Sequence, residues 1–198
     1  MSARRAGSVA RATKETDIQV TLTLEGSGVS DISTGIPFFD HMLSSFARYG
    51  FFDLDLHARG DLDVDYHHTV EDVGICLGEA FDRALGTKEG IQRFGHTVMP
   101  MDEALASVTL DISGRPYLIY HVSFPGPRIG THFPSELVQE FFQGFIRRSG
   151  LTLHINMQYG TNSHHIAEAI FKGAGRAMGQ ACVLDPRIQG VFSTKGEL

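Results

Sequence analysis

The sequence predicts an α/β protein of the α+β type, built by internal duplication. Three observations carry the prediction. The stretch Asp65-Tyr66-His67-His68-Thr69-Val70-Glu71 returns as Asn162-Ser163-His164-His165-Ile166-Ala167-Glu168, with both histidines and the glutamate displaced by 97 residues. One order of alternating and helical hydrophobic patterns, β-β-α-β-β-α, leads into each copy. Apolar residues make up 42% of the 198 positions, enough for two copies to share one core.

The elements follow in order. Met1 to Arg11 carries Arg4, Arg5 and Arg11 among small residues and has no apolar run, so residues 1–12 are expected to be a flexible basic tail. Asp17 to Glu25 alternates apolar and polar, the pattern of a half-buried strand. Gly26-Ser27-Gly28 reads as a turn and Val29 to Ser33 as its hairpin partner. Pro37 opens a helix in which Phe39, Met42, Leu43 and Phe46 share a face, and Gly50 stops it. Phe52 to His57 alternates again, 60–65 reads as a short strand or extended loop, and His68 to Leu85 is helical up to Gly86.

The second copy repeats the sequence of patterns. Ala106 to Gly114 and Tyr117 to Val122 are the first strands, Glu136 to Arg148 is a helix closed by Gly150, and Leu151 to Met157 is a strand. The second histidine-pair helix runs to about Val183. The units are placed at 13–90 and 91–198, joined near 86–100 and forming one compact domain.

A formal charge of −6 argues against nucleic acid or a membrane surface as the main partner, and leaves room for a small anionic ligand. No run reaches the roughly 18 apolar residues of a membrane span. Cys76 and Cys182 have no Cys-x-x-Cys spacing and fit buried free thiols of a cytoplasmic protein.

The repeated stretch carries the chemistry. Imidazole and carboxylate are ordinary ligands of first-row metals. His67 and Glu71 are four apart and His68 and Glu71 three apart, so each pair can meet a cation on one side of a helix. Successive histidines point about 100° apart, so each helix is expected to serve two metals. Two such helices supply six ligands: His67, His68, Glu71, His164, His165 and Glu168. His41, on the first helix, fits either a further ligand or a core histidine bonded to a backbone carbonyl; its counterpart region is Gln139-Glu140-Phe141. Arg93 and Arg115 each lie near glycine. Ser193-Thr194-Lys195-Gly196 offers hydroxyls, amides and an ammonium, and reads either as an anion cradle or as a polar C-terminal tail.

Gly35-Ile36-Pro37-Phe38-Phe39-Asp40-His41-Met42-Leu43, the two histidine-pair motifs, Pro100-Met101-Asp102-Glu103 and Ser193-Thr194-Lys195-Gly196 together resemble the imidazoleglycerol-phosphate dehydratase family of histidine biosynthesis. The resemblance runs from about Thr13 to Leu198 with the motifs in order. It implies helices packed between two four-stranded sheets, two manganese ions per active site, and a large octahedral homo-oligomer of 24 subunits with sites between subunits. The implied reaction converts imidazole glycerol phosphate to imidazole acetol phosphate and water, the ring held as an imidazolate by both metals. Carried over by position, the metal ligands are His41, His67, His68, Glu71, His164, His165 and Glu168. Arg93, Arg115, Lys172, Ser193 and Lys195 would bind substrate, mostly its phosphate, and Glu15 would sit near the reacting carbons. Glu15, Glu71 or Glu168 would move the proton. Glu140 stands where many members have histidine, and a carboxylate there still suits manganese. Two other readings of the histidine pairs are a dimetal phosphate-ester hydrolase and a non-catalytic metal-binding protein; neither the pairs nor their spacing separates them.

Overall fold

The computed structural model describes residues 4–198. The first unit comprises β1 (Ala6–Ala12), β2 (Thr16–Thr23), β3 (Ser30–Ser33), α1 (Pro37–Gly50), β4 (Asp53–Gly60) and α2 (His67–Leu85). The second comprises β5 (Phe94–Met101), β6 (Ala104–Asp111), β7 (Tyr117–His121), the short β8 (Arg128–Ile129) and β9 (Phe133–Pro134), α3 (Leu137–Ser149), β10 (Thr152–Tyr159) and α4 (Ser163–Cys182). Each unit forms a four-stranded sheet, ordered β1-β2-β4-β3 and β5-β6-β10-β7. The helices lie between the sheets: α2 on β1 and β2, α4 on β5 and β6, with α1 packed on α4 and α2 on α3.

The class is the expected one, but the strands are distributed differently along each unit. The order is β-β-β-α-β-α. The segment expected to be a tail contains β1, which pairs antiparallel with β2 from Ala6↔Thr23 to Ala12↔Asp17. Few apolar side chains announce it, because α2 lies close against it: a Cβ on Gly7 would collide with the Ala80 carbonyl. Gly95 in β5 makes the same approach to Ala177 in α4. The expected hairpin of the strand at 17–25 with 29–33 does not form. β4 lies between β2 and β3, antiparallel to the first and parallel to the second. A parallel neighbour needs a crossover, and α1 supplies it. The Asp53 carboxylate fixes this route by accepting the N–H groups of Ser27 and Val29 at 2.8 and 3.1 Å. Residues 61–65 form a turn and the approach to α2; Val64 N–H donates to the Asp61 carbonyl at 2.8 Å.

The units interlock through their helices. A Cβ on Gly78 would collide with the Phe145 carbonyl, and one on Gly175 with the Phe46 carbonyl. Glycine is required at these crossings because the facing backbone occupies the side-chain space. Around them Phe39, Phe46, Phe52, Phe81, Phe141, Phe142, Phe145 and Phe171 are fully buried. Phe141 and Phe171 lie 5.2 Å apart, and Phe81 and Phe145 5.7 Å. Each buried ring is worth about 1.5–3 kcal/mol in area removed from water. The β8–β9 hairpin has no counterpart in the first unit. It sets Phe133 against Phe38 at 5.0 Å and Phe39 at 6.2 Å, across the unit boundary.

Candidate functional site

Both histidine pairs start a helix, and equivalent side chains hold them there. Asp65 Oδ1 accepts the His67 N–H at 2.7 Å, and Asn162 Oδ1 accepts the His164 N–H at 2.9 Å. Asn162 is the N-cap of α4, whereas Asp65 stands one residue before the N-cap Tyr66 of α2; each accepts a backbone donor that has no partner within the helix. The two rings of each pair are nearly perpendicular, at 90° and 83°, with centroids 6.2 Å apart. Successive histidines therefore face different directions.

His164 faces His41. His41 Nε2, His164 Nε2 and the Glu168 carboxylate lie within 4.8 Å of one another, the convergence of a metal centre. Glu168 Oε2 is 3.1 Å from His164 and 3.4 Å from His41. The site joins the units, because His41 is on α1 and the others on α4. Glu168 is 7% exposed. Burial by itself would raise its carboxyl pKa, but the Lys172 ammonium at 2.7 Å holds it below the usual carboxylate value. Burial works against the charge of Lys172 too, and Glu168 overcomes it, keeping the ammonium above its ordinary range. Lys172, expected among the substrate ligands, thus sits on Glu168 and over the Tyr49 ring at 5.1 Å. The Phe38 ring borders His164 edge-on at 5.3 Å.

The first unit repeats this geometry less tightly. His67 Nε2 is 3.8 Å from Glu71 Oε2, and Arg147 of α3 donates to Glu71 Oε1 at 2.7 Å. Glu140 on α3 stands 99 positions after His41, as Phe145 stands 99 after Phe46, so it occupies the corresponding place in the helix pair. The structure does not draw Glu140 into a three-donor cluster with His67 and Glu71 among the described residues.

The outer histidines each give Nδ1 to a carboxylate. His68 donates to Asp61 Oδ2 at 3.0 Å and His165 to Glu103 Oε2 at 2.6 Å. An ionised carboxylate only accepts, so Nδ1 carries the proton and Nε2 is left for a metal. The same bonds raise both imidazole pKa values, the hydrogen bond being the largest cause. Glu103 is lowered to about 2 by the His165 bond and by the N–H groups of Thr161 and Asn162. Sequence reasoning missed Asp61 and gave Glu103 no role, although it lay within a quoted motif. Glu15 is exposed at the β1–β2 turn, 3.9 Å from His68 Nδ1.

A separate neighbourhood gathers most of the expected phosphate ligands. Arg93 donates twice to Asp111, at 2.6 and 3.0 Å, and once to the Phe192 carbonyl at 2.8 Å. Arg115 is 3.9 Å from the same Asp111 and largely exposed. Ser193 Oγ accepts the Lys195 N–H at 3.2 Å, and the C-terminal Leu198 packs by Gly114. Arg93 and Arg115 thus meet at Asp111, and Arg93 ties in the C-terminal segment that carries Ser193 and Lys195. Another carboxylate–histidine group, Asp31, Asp55 and His57, lies exposed on the first sheet, and its edge strand pairs Asp31 directly with Asp55.

Fold and site define an internally duplicated α/β protein with histidine–carboxylate centres at paired helix starts. The family model described as imidazoleglycerol-phosphate dehydratase matches residues 34–178. The dehydratase of Citrifermentans bemidjiense is 57% identical over 194 residues, covering 98% of this chain and 99% of that protein. That of Syntrophobacter fumaroxidans is 56% identical over the full length of both. Crystal structures of the Staphylococcus aureus and Pyrococcus furiosus enzymes superpose with TM-scores of 0.82 each, at 37% and 40% identity. They cover 91% and 96% of this chain, and 99% and 100% of their own. The chain belongs to the imidazoleglycerol-phosphate dehydratase family, hydro-lyases of histidine biosynthesis. No helix among the described residues is long and apolar enough to cross a membrane.

Proposed function

We propose that this chain dehydrates imidazole glycerol phosphate to imidazole acetol phosphate with two manganese ions per active site. The observation that carries the proposal is the convergence of His41, His164 and Glu168, with His67, Glu71 and Glu140 in the equivalent positions of the other helix pair. Imidazole nitrogen and carboxylate oxygen are a donor set that manganese accepts. His68 and His165, each with Nε2 free and Nδ1 tied down, are the further ligands.

When bound, the two cations would hold the ring nitrogens of the substrate and draw electron density into the ring. Everything else falls to the chain. The hydroxyl leaves from the carbon attached to the ring, and the proton leaves from the next carbon. The resulting enol rearranges to the ketone, so the balance is the loss of one water. Glu15, exposed and with no hydrogen bond to its side chain among the described residues, is the group proposed to take that proton, ahead of Glu71 and Glu168, which are paired with Arg147 and Lys172. Arg93, Arg115, Ser193 and Lys195 hold the phosphate away from the reacting carbons and fix the geometry.

Among the described residues, no hydrogen bond or ion pair joins Arg93, Arg115, Ser193 or Lys195 to the histidine centres. This supports an active site completed by another subunit, as in the implied octahedral assembly of 24. The buried free thiols Cys76 and Cys182 suit a reducing cytoplasm. The test is to incubate manganese-loaded protein with imidazole glycerol phosphate. Ketone product is expected; released inorganic phosphate would instead mean a hydrolase, and no product a binding protein.

A further inference from the structure

The two units place a glutamate at the same point and use it differently. Ala12↔Asp17 in the first hairpin and Pro100↔Leu105 in the second are the same strand pair, 88 residues apart. Glu15 and Glu103 are therefore equivalent residues at equivalent hairpin tips. Each looks toward the second histidine of its own unit. Glu103 takes His165 Nδ1 at 2.6 Å and also accepts the N–H groups of Thr161 and Asn162 at 3.1 and 2.7 Å. Glu15 remains 3.9 Å from His68 Nδ1, and Asp61 stands there at 3.0 Å. Asp61 comes from a segment that the second unit lacks: six residues, 61–66, separate β4 from α2, whereas three, 160–162, separate β10 from α4. Those three are Gly160, Thr161 and Asn162, none of them acidic. The Asp61 N–H also donates to the Glu15 carbonyl at 3.1 Å, which ties the longer loop to the hairpin it relieves.

We propose that Asp61 is a positioning residue that takes over the histidine-orienting duty of the hairpin glutamate, and so frees Glu15 for the substrate. In the second unit Glu103 keeps that duty and is unavailable for chemistry. The inference rests on the dehydratase reading for the role of Glu15, and on geometry alone for the exchange of duties. A second beneficiary is the outer metal ligand. With Nδ1 held by Asp61, the His68 ring keeps one orientation and one tautomer whatever Glu15 does during turnover.

The test compares the unmodified chain with Asp61→Ala, Asp61→Asn and the Asp61→Ala/Glu15→Ala double variant. Bound manganese is measured across a manganese dialysis series, kcat and KM with imidazole glycerol phosphate, and folding by thermal melting. In Asp61→Ala, Glu15 is expected to move onto His68 as Glu103 does on His165. Manganese affinity then stays within about threefold, while kcat falls about 10–100-fold at little changed KM. Asp61→Asn, whose amide oxygen still accepts from Nδ1, retains both kcat and affinity. The double variant, with no acceptor left, loses about 10–100-fold in manganese affinity. The proposal is overturned if Asp61→Ala alone lowers manganese affinity as far as the double variant does. It is equally overturned if Asp61→Ala keeps kcat within about threefold of the unmodified chain, since Glu15 would then need no release. If the unmodified chain makes no ketone, the dehydratase reading fails separately, and the manganese comparison still decides whether Glu15 and Asp61 share one duty.

Discussion

The hairpin tip of the second unit is closed and that of the first is open. Glu103 has four hydrogen-bond donors, while Glu15, in the same place, is exposed and beside a histidine that already has a partner. The inner sites differ in the same sense. His41, His164 and Glu168 converge around one point, whereas Glu71 is turned onto Arg147 and Glu140 stays apart. A duplicated skeleton thus does not enforce duplicated chemistry. The helices are copied closely, while the loops between them differ in what they bring to the histidines.

The largest effects should come from the tips themselves. Glu15→Gln is expected to lower kcat by about 10²–10⁴-fold with manganese content intact, and elemental analysis alongside turnover checks it. Glu103→Ala, which removes the acceptor, should behave in the opposite way, losing about 10–100-fold in manganese affinity first and activity as a consequence. Equal phenotypes would erase the functional contrast between the units. The shared skeleton predicts symmetry instead. Phe46→Ala and Phe145→Ala, at equivalent crossings, should each cost about 3–5 kcal/mol in denaturant unfolding. A large difference between them would mean that one interface dominates. Gly78→Ala and Gly175→Ala push a methyl into a facing carbonyl and should each cost about 1–3 kcal/mol, read as a lowered Tm.

Acid should have a smaller effect, and its sign depends on metal. Donation to the Asp61 and Glu103 carboxylates raises the pKa values of His68 and His165. In the metal-free chain their contribution to stability is full below the unfolded pKa and is lost as pH rises through the raised values. Manganese competes with the proton for Nε2, so loading should be complete above those values and lost as pH falls through them. Manganese titrations at several pH values check the direction. Glu103, at about 2, remains charged throughout that range.

Much of this was legible in the sequence, and the omissions have physical causes. The four long helices showed because each buries one apolar stripe, and the histidine pairs because helix spacing fixes which residues share a side. β1 did not show. It is an edge strand whose buried positions are Gly7 and Val9, and a strand that must admit a helix backbone cannot advertise itself with large apolar residues. β5 is similar, with Gly95 at the contact. The strand order also escaped, since pairing β3 with β4 depends on where α1 returns the chain. At the site, His41 could be read two ways until α1 was seen to lie on α4. Asp61 carried no spacing signal because it reaches His68 from a loop. Glu103 had one: aligning the two hairpins, rather than only the two histidine motifs, pairs it with Glu15.

The glycine-mediated crossings have a consequence for descent. Neither unit can build the inner centre alone, since His41 must meet a helix start from the other unit. Nor can either unit bury its first helix without that unit's glycines. A half-length polypeptide would recover the arrangement only by embracing a second copy of itself about a twofold axis. Such a pair would carry two identical centres and two identical hairpin tips. In one chain the two tips are free to differ, and only in the first does an aspartate hold the Nδ1 of its histidine.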